Sequence, residues 1–183
     1  MPKFAQEKAT NEPSAIALTD PNKSLTWGQV DKILNQVANL ILASDLGEKR
    51  RVAVFAENAS ETALAHLGAL FGGASSVPVN FHLTSEEAAY ILKDSESRIL
   101  FLDDKTLDRG ILAAQEAGIN LIIGWDCPKH PQVTDWHEWL ETGSTETPPD
   151  EVTPLPNLLY TSGTTGLPKG TELPPTMFAG GAT

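Results

Sequence analysis

The chain has 183 residues, of which 40% are hydrophobic and 20% charged, and it carries a formal net charge of −11. That length allows roughly 70% of the unfolded surface to be buried, enough for one substantial core, and the composition excludes a mainly disordered, fibrous or disulfide-built protein. The acidic balance, with no basic stripe, excludes a general nucleic-acid surface, and the apolar stretches are too short and too interrupted for a transmembrane segment.

Residues 15–18 read as a short strand, followed by the turn residues Asp20, Pro21 and Asn22. Thr26 with Gln29 three positions later makes a capping-box pattern. Val30, Ile33, Leu34, Val37, Leu40 and Ile41 then recur at helical spacing, which predicts a helix over Trp27–Ala43 with one apolar stripe. RVAVFA at 51–56 is a compact strand, and Ser60 is the expected cap of a helix over 61–71 that Gly72 and Gly73 end. A strand at 76–79 precedes a second capping box, Thr84 with Glu87, heading a short helix through Lys93. A strand at 99–102, a helix at 105–117 stopped by Gly118 and a strand at 120–124 follow. Trp136, Trp139 and Leu140 are expected to pack a short helix onto the sheet, with His137 on its polar side.

This alternation predicts an α/β fold with a largely parallel sheet flanked by helices. Residues 142–156, rich in Pro, Thr and acids, are expected to link an α/β lobe of residues 1–141 to residues 157–183, which hold a strand at 157–160, a loop and a tail. A single cysteine, Cys127, and an N-terminus without a signal-type apolar run make the cytoplasm the expected compartment.

The chemistry concentrates in residues 161–170, TSGTTGLPKG. Thr161, Ser162, Thr164 and Thr165 supply hydroxyl donors, and Gly163, Gly166 and Gly170 let the backbone approach a ligand closely. Lys169 adds a flexible point charge. Together they suit a polyphosphate. The string is not a Walker A loop, because Pro168 precedes Lys169 and Gly170 follows it. Pro168 pushes Leu167 towards an extended conformation, so a mobile loop closing over ATP is expected rather than a helix under the phosphates.

The string resembles the signature of the adenylate-forming (AMP-binding) superfamily, which comprises acyl-CoA synthetases, peptide-synthetase adenylation domains and luciferases. All specified positions of Thr-Ser-Gly-Ser/Thr-Thr-Gly-x-Pro-Lys-Gly are filled. Leu25-Thr26-Trp27, Glu57-Asn58, Gly72-Gly73-Ala74, Val77-Pro78-Val79-Asn80 and Tyr90-Ile91-Leu92 resemble its upstream elements in the correct order. The resemblance implies two stages: a carboxylate attacks the α-phosphate of ATP to give an acyl-adenylate and pyrophosphate, and a thiol, usually of coenzyme A, then takes the acyl group. It implies Lys169 and Thr161 as catalytic groups. Thr161, Ser162, Gly163, Thr164, Thr165, Gly166, Lys169 and Gly170 would hold ATP, with Mg²⁺ sharing the charge and no protein metal ligand in this chain.

The same resemblance implies the truncated first part of the large N-terminal domain, since the family's adenine contacts, acyl pocket and small C-terminal domain lie downstream of the loop. Alone, the chain is expected not to complete the reaction, and an unpaired sheet edge is expected to favour self-association. Alternatives are an adenylation domain loading a carrier-protein thiol, or a non-catalytic nucleotide-binding product. After the loop the family continues through apolar residues to a Thr-His pair, whereas here Thr171-Glu172-Leu173-Pro174-Pro175 intervenes and a helix is expected only from Thr176. Cys127, His130 and His137 with Asp126 and Asp135 match no standard zinc spacing. His66 and His82 lack a paired nucleophile and are assigned no role.

Overall fold

A computed structural model describes residues 3–161 and 167–173, with side chains from residue 5 onward. The chain opens with α1 (Lys3–Asn11) and an antiparallel hairpin of β1 (Ile16–Thr19) and β2 (Ser24–Thr26). An alternating series follows: α2 (Trp27–Ala43), β3 (Arg51–Phe55), α3 (Ser60–Phe71), β4 (Ser75–Pro78), α4 (Ser85–Asp94), β5 (Ile99–Asp103), α5 (Leu107–Ala117) and β6 (Leu121–Trp125). It continues through β7 (Thr134–Asp135) and α6 (Trp136–Glu141) to a second antiparallel hairpin of β8 (Leu158–Thr161) and β9 (Lys169–Glu172).

β3 to β7 form one parallel sheet in the order β4-β3-β5-β6-β7. The first crossover runs outward to β4 and the next returns past β3 to β5, so helices cover both faces. On one face α2, α3 and α6 enclose a core containing Val37, Ile41, Leu64 and Phe101. Here Phe101 and Trp125 meet Trp136 edge-on at 6.0 and 5.8 Å. This places α6 against the sheet with Trp136, Trp139 and Leu140 buried and His137 exposed. On the other face α4 and α5 cover Phe55, Leu100, Leu102 and Ile122.

Both capping boxes form. Thr26 Oγ1 accepts from Gln29 N while Gln29 Oε1 accepts from Thr26 N, and Thr84 and Glu87 repeat the arrangement. Ser60 is not the cap of α3. The N-cap is Ala59, which makes no side-chain cap bond, and Ser60 N donates instead to Asp20 Oδ2 at 3.0 Å. A carboxylate from the β1–β2 turn thus satisfies a donor at the helix start, where negative charge is favoured.

Candidate functional site

The hairpin of β8 and β9 lies beside β4 and is fastened to the sheet at its base. Ser75 Oγ donates to Pro156 O at 2.6 Å, and Arg51 Nη2 meets Glu172 Oε1 at 2.7 Å. Ser75 and Arg51 begin β4 and β3, so the far end of the hairpin points to the carboxyl ends of the parallel strands. That is the end at which open α/β sheets bind ligands. The crevice where strand order reverses, between β3 and β5, is bridged by the chain itself. Asp103 Oδ2 accepts from Glu57 N at 2.8 Å, and Thr106 Oγ1 donates to Phe55 O at 2.5 Å. The open ground lies on the β4 side, next to the hairpin.

Thr161 and Lys169 are cross-strand partners closing the hairpin, and Gly170 pairs with Tyr160. Side chains alternate along a strand, so Thr161 and Lys169 share one face and Tyr160 takes the other. A Cβ on Gly170 would sit 3.2 Å from Tyr160 Cζ and 3.3 Å from its hydroxyl, so the glycine leaves room for that ring. Thr161 and Lys169 are both exposed. Ser162, Gly163, Thr164, Thr165 and Gly166 lie outside the described residues, and so does the expected closing motion of the loop they belong to. Pro168 does not lead into a helix. It leads into β9, whose sequence KGTE carries no strand-like alternation and was invisible as a strand.

Thr161 and Pro168 border a cavity of about 620 Å³ walled by α3, the residues after β4, and β8. Its wall is mainly apolar, with Val54, Val79, Ile91 and Leu159, and includes the polar groups of Asn58, Thr62, His66 and Asn80. Arg109 from α5 holds the segment after β4 by donating to Phe81 O at 2.9 Å and Leu83 O at 2.6 Å. His66 Nδ1 lies 2.5 Å from Ser76 Oγ. Burial pushes the His66 pKa down to about 4, so the ring is neutral at pH 7 and brings no charge to the cavity.

Cys127 sits apart, beyond β6, with Sγ donating to Trp125 O at 3.2 Å. Burial first, then the charge of Asp103 and neighbouring aspartates, pushes its pKa up to about 12, so it is a thiol at neutral pH. Among the described residues no three His, Cys, Asp or Glu side chains are grouped to hold a metal ion, and no helix is long and apolar enough to cross a membrane. Tyr90, Asp94, Arg51 and Glu172, which fix the hairpin, escape sequence inspection because their partners lie far along the chain.

The model of a family described as AMP-binding enzyme matches residues 5–174. The chain belongs to this family of adenylate-forming enzymes. It is 32% identical over 170 residues to the fatty acid–[acyl-carrier-protein] ligase ScoC of Streptomyces coeruleorubidus, covering 90% of the chain and 31% of that protein. It is 30% identical over 175 residues to the long-chain-fatty-acid–CoA ligase FadD13 of Mycobacterium tuberculosis, covering 90% of the chain and 33% of that protein. The chain therefore spans about a third of the length of these two AMP-binding relatives. The crystal structure of the anthranilate CoA ligase AuaEII in complex with anthranoyl-AMP superimposes with a TM-score of 0.82 at 24% identity, over 93% of this chain and 33% of that one, a likeness of fold.

Proposed function

We propose that the chain supplies the phosphate-gripping part of an ATP-dependent carboxylate–CoA ligase. The observation that carries the reading is the pairing of Thr161 with Lys169 at the carboxyl end of the sheet, bracketing a string with the family's full signature. Lys169 places an ammonium, and Thr161 a hydroxyl, on one face of the hairpin end, where the β- and γ-phosphates of ATP would be held and the pyrophosphate leaving group oriented. Ser162, Thr164 and Thr165 add donors, and Gly163, Gly166 and Gly170 permit close approach. These residues fit a polyphosphate because they combine a flexible cation with short donors and carry no carboxylate. The cavity wall beside Thr161 likewise contains no Asp or Glu among the described residues. Mg²⁺ would therefore be held here by the phosphates and would supply charge neutralisation.

A second reading keeps the adenylation step and gives the acyl group to a carrier-protein thiol. It is favoured by the identity to ScoC, which matches that to FadD13 within a few per cent. The experiment that tests the shared step is titration of the chain with magnesium ATP and with magnesium tripolyphosphate. Both are expected to bind with similar, weak affinity, AMP to bind more weakly still, and Lys169→Ala to weaken the first two about tenfold, as for loss of a charge-assisted contact. Equal binding by wild type and Lys169→Ala would sink the proposal.

A further inference from the structure

Two side chains of α4 meet the residues that stand just before Thr161 and Lys169. Tyr90 and Asp94 are four residues apart on α4, hence on one face of the helix. The Tyr90 hydroxyl donates to Pro168 O at 3.2 Å. Asp94 Oδ2 accepts from the Tyr160 hydroxyl at 2.6 Å. Tyr160 immediately precedes Thr161, and Pro168 immediately precedes Lys169, so this one helix face holds the residue before each member of the terminal pair. Gly170 borders the same arrangement, since a Cβ there would sit 3.1 Å from Leu158 Cδ1 and 3.2 Å from Tyr160 Cζ. The intervening Lys93 points elsewhere, to Glu116 at 2.8 Å. The base of the hairpin is secured separately by Ser75 and Arg51, so the α4 contacts are not needed to keep the hairpin on the sheet. What they add is restraint of its far end.

We propose that the Tyr90–Asp94 face of α4 is a positioning clamp that sets Thr161 and Lys169 for the polyphosphate, an inference that rests on the phosphate reading above. The residues act through Tyr160 and Pro168 and do not touch the ligand. Restraining the hairpin end before binding lowers the ordering cost of the bound state, so its loss should show in affinity rather than in the stability of the lobe.

The test uses the full chain, magnesium tripolyphosphate as probe, and the variants Tyr90→Phe, Asp94→Ala and Asp94→Asn. Tyr90→Phe changes no charge and is expected to weaken binding about fivefold, the factor for one net hydrogen bond. Both Asp94 variants remove the same charge, but asparagine keeps an acceptor for Tyr160. Asp94→Asn is therefore expected to bind about fivefold more tightly than Asp94→Ala. Hydrogen exchange should accelerate in 158–161 and 169–172 for Tyr90→Phe and Asp94→Ala, with β5 and β6 unchanged. If the wild type binds the probe and Tyr90→Phe binds it equally well, or the two Asp94 variants are alike, the clamp is overturned and the phosphate reading stands. Exchange accelerated equally through β5 and β6 overturns it too, because the residues are then merely structural. If neither the wild type nor Lys169→Ala takes up the probe, the phosphate reading fails and the clamp with it.

Discussion

His66 carries a pH signature that falls between about pH 4 and pH 6.5. Its pKa falls from an ordinary 6.5 to about 4 because the ring is buried beside Ser76 at the cavity wall. Between those values the unfolded chain binds more protons than the folded one, so stability rises with pH. The contribution is fully present above pH 6.5 and is lost as the pH falls towards 4. Urea unfolding of wild type and His66→Gln at pH 7 and pH 5 should differ by a pH-dependent amount, with a slope of up to about 1.4 kcal/mol per unit. A difference that does not change with pH would mean that the folded ring protonates as freely as the unfolded one. Nothing in the sequence marks His66 for this role, since a histidine on a helix acquires its burial from elements brought in by the fold. Lys169 and Thr161 are the opposite case. The role proposed for them is readable from ten contiguous residues, whereas Tyr90 and Asp94 meet partners 78 and 66 positions away.

At the scale of elements, what was legible is what is local. The Thr26–Gln29 box sets the start of α2 through bonds spanning three residues, and that start coincides with the onset of the apolar stripe. Thr26→Ala removes one acceptor from the first turn and is expected to cost about 1 kcal/mol in denaturant unfolding. Thr26→Asp, which keeps an acceptor and places a negative charge at the helix start, should retain most of it. No loss in the alanine variant would show that the first turn is held by tertiary contacts instead. The start of α3 escapes a local reading for the complementary reason: the acceptor for the Ser60 N–H is Asp20, forty positions earlier, and not an adjacent hydroxyl. The short strands β7 and β9 were missed because two or four exposed polar residues carry no periodic signal. They are strands only because a neighbour pairs with them.

The whole molecule depends on how closely its layers approach, and α2 and α3 meet closely at Gly68. Gly68 faces Val37 across that interface, and a Cβ at position 68 would lie 2.4 Å from Val37 Cγ1. The surroundings are closed: Val37 is fully buried, and so are Ala65 and Ala69 beside Gly68 on α3. The small residues on α3 let the two helices sit close enough to cover one face of the sheet together. They also fix the rotation of α3, which presents Thr62 and His66 to the cavity beside Thr161. Gly68→Ala has to push α2 and α3 apart or force Val37 from its rotamer, and overpacking of this kind costs about 1–3 kcal/mol. In a helix interior alanine would otherwise be favoured over glycine by about 1 kcal/mol, so a net loss would itself report the clash. Val37→Ala alone opens a void and is expected to destabilise as well. Combined, the two changes remove two methyl groups at position 37 and place one in the space they leave, and the double variant should be more stable than the sum of the single losses predicts. Denaturant unfolding of the four proteins measures this directly. Strict additivity would mean that residues 37 and 68 do not share the contact.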